Sequence, residues 1–344
     1  NNLTSIGGGL RIEYNNSLTS IMEINNVSYI GGTLYIGFNN SLKNLSGLNN
    51  VTCIYQDIYI GHNDSLTSLS GLDNLNKVNE DLRIMENDQL LSLSNLSNLD
   101  SVAVEFAIGS NLLLSDLTGL SNLSYVGNLF NITNTYLTSL NGLNSISKMN
   151  ILFITYNHNL TNLSGLERLD TIHQKMFIRG NPNMINLTGV DSLSFVEKLE
   201  IVDNVSLLDL SGLQSLKRVN SLTIGDDSYG VNQSLVNFSG LDNLQSISGE
   251  FHIEMNPSLI NFQGLYSLDS VGGGILIEDN QAIINMNGFE NLKYVNGIGV
   301  RNNASLKNLN GFDSLIYLRG LVIQHNPVLK SLHGLRNVIG GSII

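Results

Sequence analysis

The chain repeats itself, and that repetition limits its fold more than any other feature does. Residues 34–57 read LYIGFNNSLKNLSGLNNVTCIYQD and residues 58–81 read IYIGHNDSLTSLSGLDNLNKVNED. The shared frame is L-x-I-x-x-N-x-x-L-x-x-L-x-G-L-x-x-L-x-x-V-x-x-x. It opens at Leu10, Leu34, Ile58, Leu82, Phe106, Phe130, Leu152, Met176, Leu199, Leu222, Phe251, Ile275, Ile298 and Leu321. Most spacings are 22 to 24 residues. One is 29, from Leu222 to Phe251, and its extra residues fall in Gly225–Val231, which is predicted to protrude as a loop. No linker interrupts the frame, so residues 1–344 read as one continuous solenoid.

The alternation L-x-I sends both apolar residues to one face of a strand. The triplet run that follows has a spacing a helix could use, but Gly sits inside it, and Ser, Thr and Asn crowd it. Those residues favour turns over helix interiors. The expected fold is therefore all-β: a right-handed parallel β-solenoid of about 14 turns, about 65 Å long at ~4.8 Å per turn. One turn buries about six aliphatic side chains, worth of order 10 kcal/mol. Fixing some 24 backbones costs more. A single turn should not fold, and stability belongs to the stacked array.

Asn stands three residues before the first Leu of each triplet run. The column is Asn15, Asn39, Asn63, Asn87, Asn111, Asn134, Asn157, Asn181, Asn204, Asn232, Asn256, Asn280, Asn303 and Asn326. An amide carries two donors and an acceptor, so at a corner it can bond its own turn and the next. An internal Asn ladder is expected rather than a row of ligand sites. Gly forms a second column, broken only by Glu23 and Asn95. If that column marks a left-handed corner, the first turn should be irregular at Glu23, because Glu tolerates positive φ poorly.

The segments V-x-G-x-L-x-I-x-x-N, as in Val271 to Asn280, and L-x-x-L-x-G-L-x-x-L, as in Leu66 to Leu75, resemble the receptor L-domain superfamily. That group includes ligand-binding domains of insulin- and EGF-type receptors, fungal GPI-anchored cell-wall glycoproteins and leucine-rich surface proteins of protists. The resemblance covers all 344 residues. It implies an L-domain-like leucine-rich solenoid and an extracellular or cell-surface setting. Receptor L domains are about half as long and flanked by Cys-rich modules, so hormone binding does not transfer.

Sequons occur at seventeen Asn. Six of them, Asn15, Asn39, Asn63, Asn204, Asn232 and Asn303, belong to the ladder and cannot carry sugar if it is buried. The leading acceptors for N-linked glycans are Asn44, Asn162 and Asn237, which share an outward position before Leu/Phe-Ser-Gly. Asn50, Asn95, Asn122, Asn131 and Asn186 come next. Sequons also point outside the cell.

Catalytic and cofactor chemistry finds little purchase. The outward residue between the two strand apolars runs Arg11, Tyr35, Tyr59, Arg83, Ala107, Asn131, Phe153, Phe177, Glu200, Thr223, His252, Leu276, Gly299, Val322, with no carboxylate cluster. It lacks the Thr column that ice binding needs. Glu254, Glu278 and Asp279 are read as a solvated acidic patch. The six His show no zinc spacing. Asp226-Asp227 falls short of a calcium loop, and Cys53 is read as a free thiol. No cofactor is expected. The pairs Tyr35/Tyr59 and Phe153/Phe177 should stack across turns and form a contact surface for a partner.

A chain with 17 Lys+Arg against 29 Asp+Glu is not built to bind nucleic acid. It holds no apolar run of 18 residues and so no membrane span. With no basic-then-apolar leader it reads as a mature form, a fragment, or a chain that never had a signal. Neither Asn1–Ile6 nor Gly340–Ile344 looks like a polar cap, so protein partners are expected, including end-to-end or lateral assembly with itself. The leading function is a non-catalytic extracellular glycoprotein acting as a structural or adhesive scaffold of a cell surface, wall or filament. The alternative is a recognition module binding a protein or glycan on the strand face, and a polysaccharide-acting enzyme is a remote third.

Overall fold

The computed structural model describes residues 2–340; the tail from Gly341 lies outside the described residues. The chain is an all-β parallel solenoid of about 13 turns. The fourteen strand openers bound thirteen complete turns, which reconciles this with the 14 expected. Cα packing divides it into two units, Asn1–Leu160 with Ser164–Leu169, and Thr161–Leu163 with Asp170–Ile344.

In the first unit each turn contributes a four- or five-residue strand to one parallel sheet: Leu10–Glu13, Leu34–Gly37, Ile58–Gly61, Leu82–Met85, Glu105–Gly109 and Leu129–Thr133. The register follows the repeat, with Leu34 opposite Ile58 and Ile36 opposite Ile60. A second sheet of two-residue strands, Ser5–Ile6 through Tyr125–Val126, runs beside it. From Lys148–Thr155 onward the short and long strands fuse in every described turn but that of Ser246–Ile247 and Phe251–Glu254. The cause is a single residue. Val126 precedes Phe130 by four positions, whereas Met149 precedes Leu152, and Val196 precedes Leu199, by three. A three-residue spacing is bridged by one continuous strand. Four leaves an extra residue that either ends the strand, as between Ser246–Ile247 and Phe251–Glu254, or shifts its register as a bulge, as between Val271 and Gly274 in Ser270–Glu278.

The second unit's sheet comprises Thr171–Arg179, Phe195–Val202, Arg218–Ile224, Phe251–Glu254, Ser270–Glu278, Tyr294–Arg301 and Tyr317–Gln324, with Ser246–Ile247 beside Phe251–Glu254. In both units the aliphatics point inward. Ile58, Ile60, Leu66, Leu69, Leu72, Leu75 and Val78 of a single turn are fully buried. Aromatic rings thicken the bore: Phe106 stacks on Phe130 at 5.0 Å, and Phe262 meets Phe289 at 4.6 Å.

The corners show why Gly recurs. The Leu45 N–H donates to the Ser70 carbonyl at 2.8 Å. That bond draws Gly71 so close that a Cβ there would overlap the Leu45 carbonyl, and Gly71 has φ +115°. Where the column carries a side chain the corner changes form. Met22–Ile24 around Glu23 and Ser94–Leu96 around Asn95 are single 3-10 turns. Gly119, one turn after Asn95, adopts the same form in Thr118–Leu120. Among the described residues these short turns, with His333–Leu335, are the only helical segments.

Candidate functional site

The inner corner is an amide chain. In the first unit the Asn39 N–H donates to Asn63 Oδ1 at 3.1 Å, Asn63 N–H to Asn87 Oδ1 at 3.3 Å, and Asn87 N–H to Asn111 Oδ1 at 3.0 Å. Each Nδ2 turns back to two carbonyls. Asn63 Nδ2 donates to Gly61 O in its own turn and to Ile36 O in the preceding one. Asn181, Asn204, Asn256, Asn280 and Asn303 repeat the step in the second unit, Asn232 bonds Asn256 Oδ1, and Asn326 accepts from Asn303. Asn15, in the first turn, is exposed.

Asn134 is not part of this chain, contrary to the sequence reading. The buried position belongs to Thr135, whose N–H and Oγ1 both reach Asn157 Oδ1, at 3.2 and 2.7 Å. Asn134 sits one residue earlier, half-buried at φ +50°, bonding Ser110 Oγ. The strand fixes the ladder: every rung except Asn232, which follows the insertion, lies five residues after its strand opener, and Phe130 plus five is Thr135. The shortening of this turn falls after the rung, so counting back from Leu137 lands on the wrong residue.

Two further polar columns staple the outer corner, and the sequence reading missed both. One precedes each Gly by three. There a side-chain oxygen accepts the N–H two residues on: Asn44 from Ser46 at 3.0 Å, Ser68 from Ser70 at 3.0 Å, Asp116 from Thr118 at 2.9 Å, Asn186 from Thr188 at 3.1 Å and Asn237 from Ser239 at 2.9 Å. The other lies two residues after Gly and accepts the Gly N–H, as Asp73, Asp191 and Asp242 do. Burial raises the Asp73 carboxyl, but bonds from Gly71 N–H and the Asn95 amide outweigh it and hold it below the usual range.

These columns sort the candidate sequons. Asn44, Asn186 and Asn237 share one environment, with Oδ1 engaged inside the sequon, and half-buried Asn162 occupies the same frame position. Asn186 therefore ranks with the leading group. Asn50 and Asn122 instead spend Nδ2 on a carbonyl of the preceding turn, each at 2.7 Å. Asn95 donates to Asp73 and accepts from Ser68. Asn131 lies on the strand face between Ala107 and Phe153.

On the first unit's strand face Tyr35 and Tyr59 stack at 4.6 Å with 14° between planes, and the Arg11 guanidinium lies 4.0 Å from the Tyr35 ring centroid. Gly37 and Gly61 make room, since a Cβ at either would strike its Tyr ring. Burial raises both phenols above their ordinary range. A parallel stack runs alongside: Tyr14 on Phe38 at 4.7 Å and Phe38 on His62 at 4.3 Å, all three residues at positive φ. Arg83 is held by Asp81 and Glu105 at 2.8 and 2.7 Å. Cys53 is a half-buried free thiol that burial pushes up, away from thiolate chemistry.

Phe153 belongs to the first unit and Phe177 to the second. Phe177 lies edge-on to Tyr229 at 6.3 Å and under Lys175 Nζ at 4.6 Å, while Arg179 covers the Tyr229 ring at 4.6 Å. The inserted loop therefore does not simply protrude: its one aromatic residue folds back onto the sheet face. Beside this clasp, Glu200 takes Lys175 and Lys198 at 2.6 and 2.7 Å. Burial pushes its carboxyl up, yet the two lysines bring it below the usual range. On the loop's far side Glu254 is not a freely solvated acid. Burial first, then Asp226, Asp227, Glu278 and Asp279, pushes it up to about 7. Among the described residues no three His, Cys, Asp or Glu are placed to hold a metal ion, and no helix is long and apolar enough to cross a membrane.

No protein-family model and no curated protein matches the chain. Solved structures do align with it, among them the following two. One is TLR13 in its complex with ssRNA13, 15% identical, covering 91% of this chain and 64% of that one, with a TM-score of 0.28. The other is a leucine-rich repeat protein from Bacteroides ovatus, 13% identical, covering 86% of this chain and 88% of that one, with a TM-score of 0.17.

Proposed function

We propose that this chain is a non-catalytic extracellular glycoprotein: one continuous leucine-rich solenoid of the receptor L-domain kind, serving as a structural or adhesive element of a cell surface, wall or filament. What carries the reading is where the polar side chains go. Three corner columns spend their amides, hydroxyls and carboxylates on bonds within and between turns. The strand-face charges are tied up too, in Arg11–Glu13, Arg83–Glu105 and Glu200 with its two lysines. Groups fixed this way stiffen an array; they are not poised to move protons or seize a reacting atom. Asn44, Asn186 and Asn237 support the glycoprotein reading, because their amide nitrogens are left for N-linked sugar.

A recognition role for the strand face is the second reading, and the Arg11–Tyr35–Tyr59 stack beside Tyr14, Phe38 and His62 favours it. Protein partners, copies of the chain among them, fit both readings. Peptide-N-glycosidase treatment of the natively expressed protein tests the first, with a mass loss mapping to Asn44, Asn186 or Asn237 expected. No mass change would remove the secretory argument. Light scattering and electron microscopy of the full chain, with and without Tyr35→Ser and Tyr59→Ser, separate the two: lost ligand binding with intact assembly favours recognition.

A further inference from the structure

One outward corner column is unlike the others. The residue after the first Leu of each triplet run reads Lys43, Thr67, Leu91, Ser115 and Thr138 through the first unit. In the second it reads Thr161, Ile185, Leu208, Val236, Ile260, Ile284, Lys307 and Lys330. Five turns in succession thus carry an aliphatic side chain outward. Ile185, Leu208, Ile260 and Ile284 are 44, 46, 44 and 38% exposed. The coil does not require it. The backbone bond between turns is the same whatever the side chain: Thr67 N–H to Lys43 O at 3.1 Å, Leu208 to Ile185 at 2.9 Å, Lys307 to Ile284 at 2.9 Å. Five adjacent outward aliphatics, four of them exposed and Val236 half-buried, where Thr and Lys serve equally well mark a surface kept for something else.

Two observations say what fits. The ridge ends at Lys307 and Lys330, beside a groove of about 510 Å³ floored by Ala282, Ile284, Ala304 and Val328. Neither lysine forms an ion pair among the described residues, although the chain carries a net charge of −12. Uncommitted cations at one end of an apolar ridge select acidic groups at the matching end of the partner. The second observation is pitch. Successive ridge residues are ~4.8 Å apart. The apolar seam of an amphipathic helix rises ~5.25 Å per layer, whereas alternate residues of a strand rise ~6.6 Å. Over four steps a helix drifts by about 2 Å and a strand by about 7 Å, so only the helix keeps its side chains between the ridge residues.

We propose that this column is the docking surface for an amphipathic α-helix of a partner protein. Spanning about 19 Å, it takes a helix of about 13 residues, aliphatic along one seam and acidic at the end over Lys307 and Lys330. The described residues contain no α-helix that could fill it from within the same chain. The inference stands apart from glycosylation and from the strand face.

The test uses the full chain and two dye-labelled 18-residue peptides with Leu at every a and d position and Glu grouped in the first or the last turn. Fluorescence anisotropy should show one of them binding. Leu208→Thr with Ile260→Thr should weaken it at least tenfold, at an unchanged circular dichroism spectrum and melting temperature, since Thr occupies this column natively. Lys307→Glu with Lys330→Glu should do the same and be rescued when Lys replaces Glu in the peptide. No binding by either peptide, equal binding by a shuffled-seam peptide, or tighter binding by a Leu-alternating strand peptide would overturn the proposal. So would a concentration-dependent dimer, seen in sedimentation, that the Thr pair abolishes, because the occupant would then be a second copy.

Discussion

Replacing Asn63 by Ala tests the amide chain where it is most enclosed. Asn63 Oδ1 receives the Asn39 N–H at 3.1 Å and Asn39 Nδ2 at 3.3 Å. Its own Nδ2 shares two hydrogens among Ile36 O, Gly61 O and Asn87 Oδ1, at 3.1, 3.0 and 3.1 Å. Gly61 O keeps the Phe38 N–H, and Asn87 Oδ1 keeps the Asn63 N–H. The Asn39 N–H is left with nothing, in a fully buried position. One orphaned N–H costs about 1–3 kcal/mol and the lost bonds around 1 kcal/mol each, so Asn63→Ala should cost about 3–5 kcal/mol. Asn15→Ala, at the exposed end of the same chain, lets water take over and should cost under ~1 kcal/mol. Urea titrations followed by far-UV circular dichroism give both, with amide exchange at Asn39 reporting the local opening. A solenoid loses its weakened turns first, so an early transition confined to the first unit is the expected signature. If the two variants shift the transition equally, or Asn63→Ala costs less than about 1 kcal/mol, the ladder does not hold the turns and the argument fails.

Four other outcomes follow from the same geometry. Gly71→Ala meets both a φ of +115° and the Leu45 carbonyl, so it should cost about 2–4 kcal/mol, while Gly8→Ala, with nothing near its Cβ, should stay within ~0.5 kcal/mol in the same urea assay. Thr135→Asn supplies the missing rung, and thermal melts should show a gain of about 1 kcal/mol. Glu254 holds its proton up to about 7, so it favours folding below the ordinary carboxyl range and loses that advantage as pH rises through about 7; Glu254→Gln should be near neutral at pH 4 and stabilising by about 1–2 kcal/mol at pH 8 after discounting for its partial exposure, and an equal effect at both pH values would contradict this. Tyr229→Ala removes the clasp on Phe177 and Arg179 and should raise limited-proteolysis rates within Gly225–Val231 several-fold while leaving the melting temperature within ~2 °C.

The strand openers, the inward aliphatics and most of the amide chain are legible in the sequence because each demands one kind of side chain at a fixed step. Asn134 against Thr135 shows the limit. A rung is defined from its strand, and a deletion after it shifts any count made from the other side. The two outer columns are invisible to pattern reading because their task is to present an oxygen, and Ser, Asn and Asp all do so. Tyr14, Phe38 and His62 are hidden for a related reason: nothing in the residue types marks the left-handed position that aligns them. The loop's return to the sheet depends on Tyr229 finding Phe177 and Arg179 from different turns, a meeting that only the three-dimensional stacking of those turns creates.

The 29-residue turn leaves the register of the sheet untouched. Despite its extra length, Leu222 still faces Phe251 in the sheet and the Asn204 N–H still reaches Asn232 Oδ1 at 3.0 Å. The register of the coils on either side is thus independent of the length between Ile224 and Asn232, although Tyr229 within it folds back on Phe177 and Arg179. That makes this corner a port for grafted sequence: a displayed peptide entered there costs chiefly loop closure, about 0.6 kcal/mol for each doubling of its length.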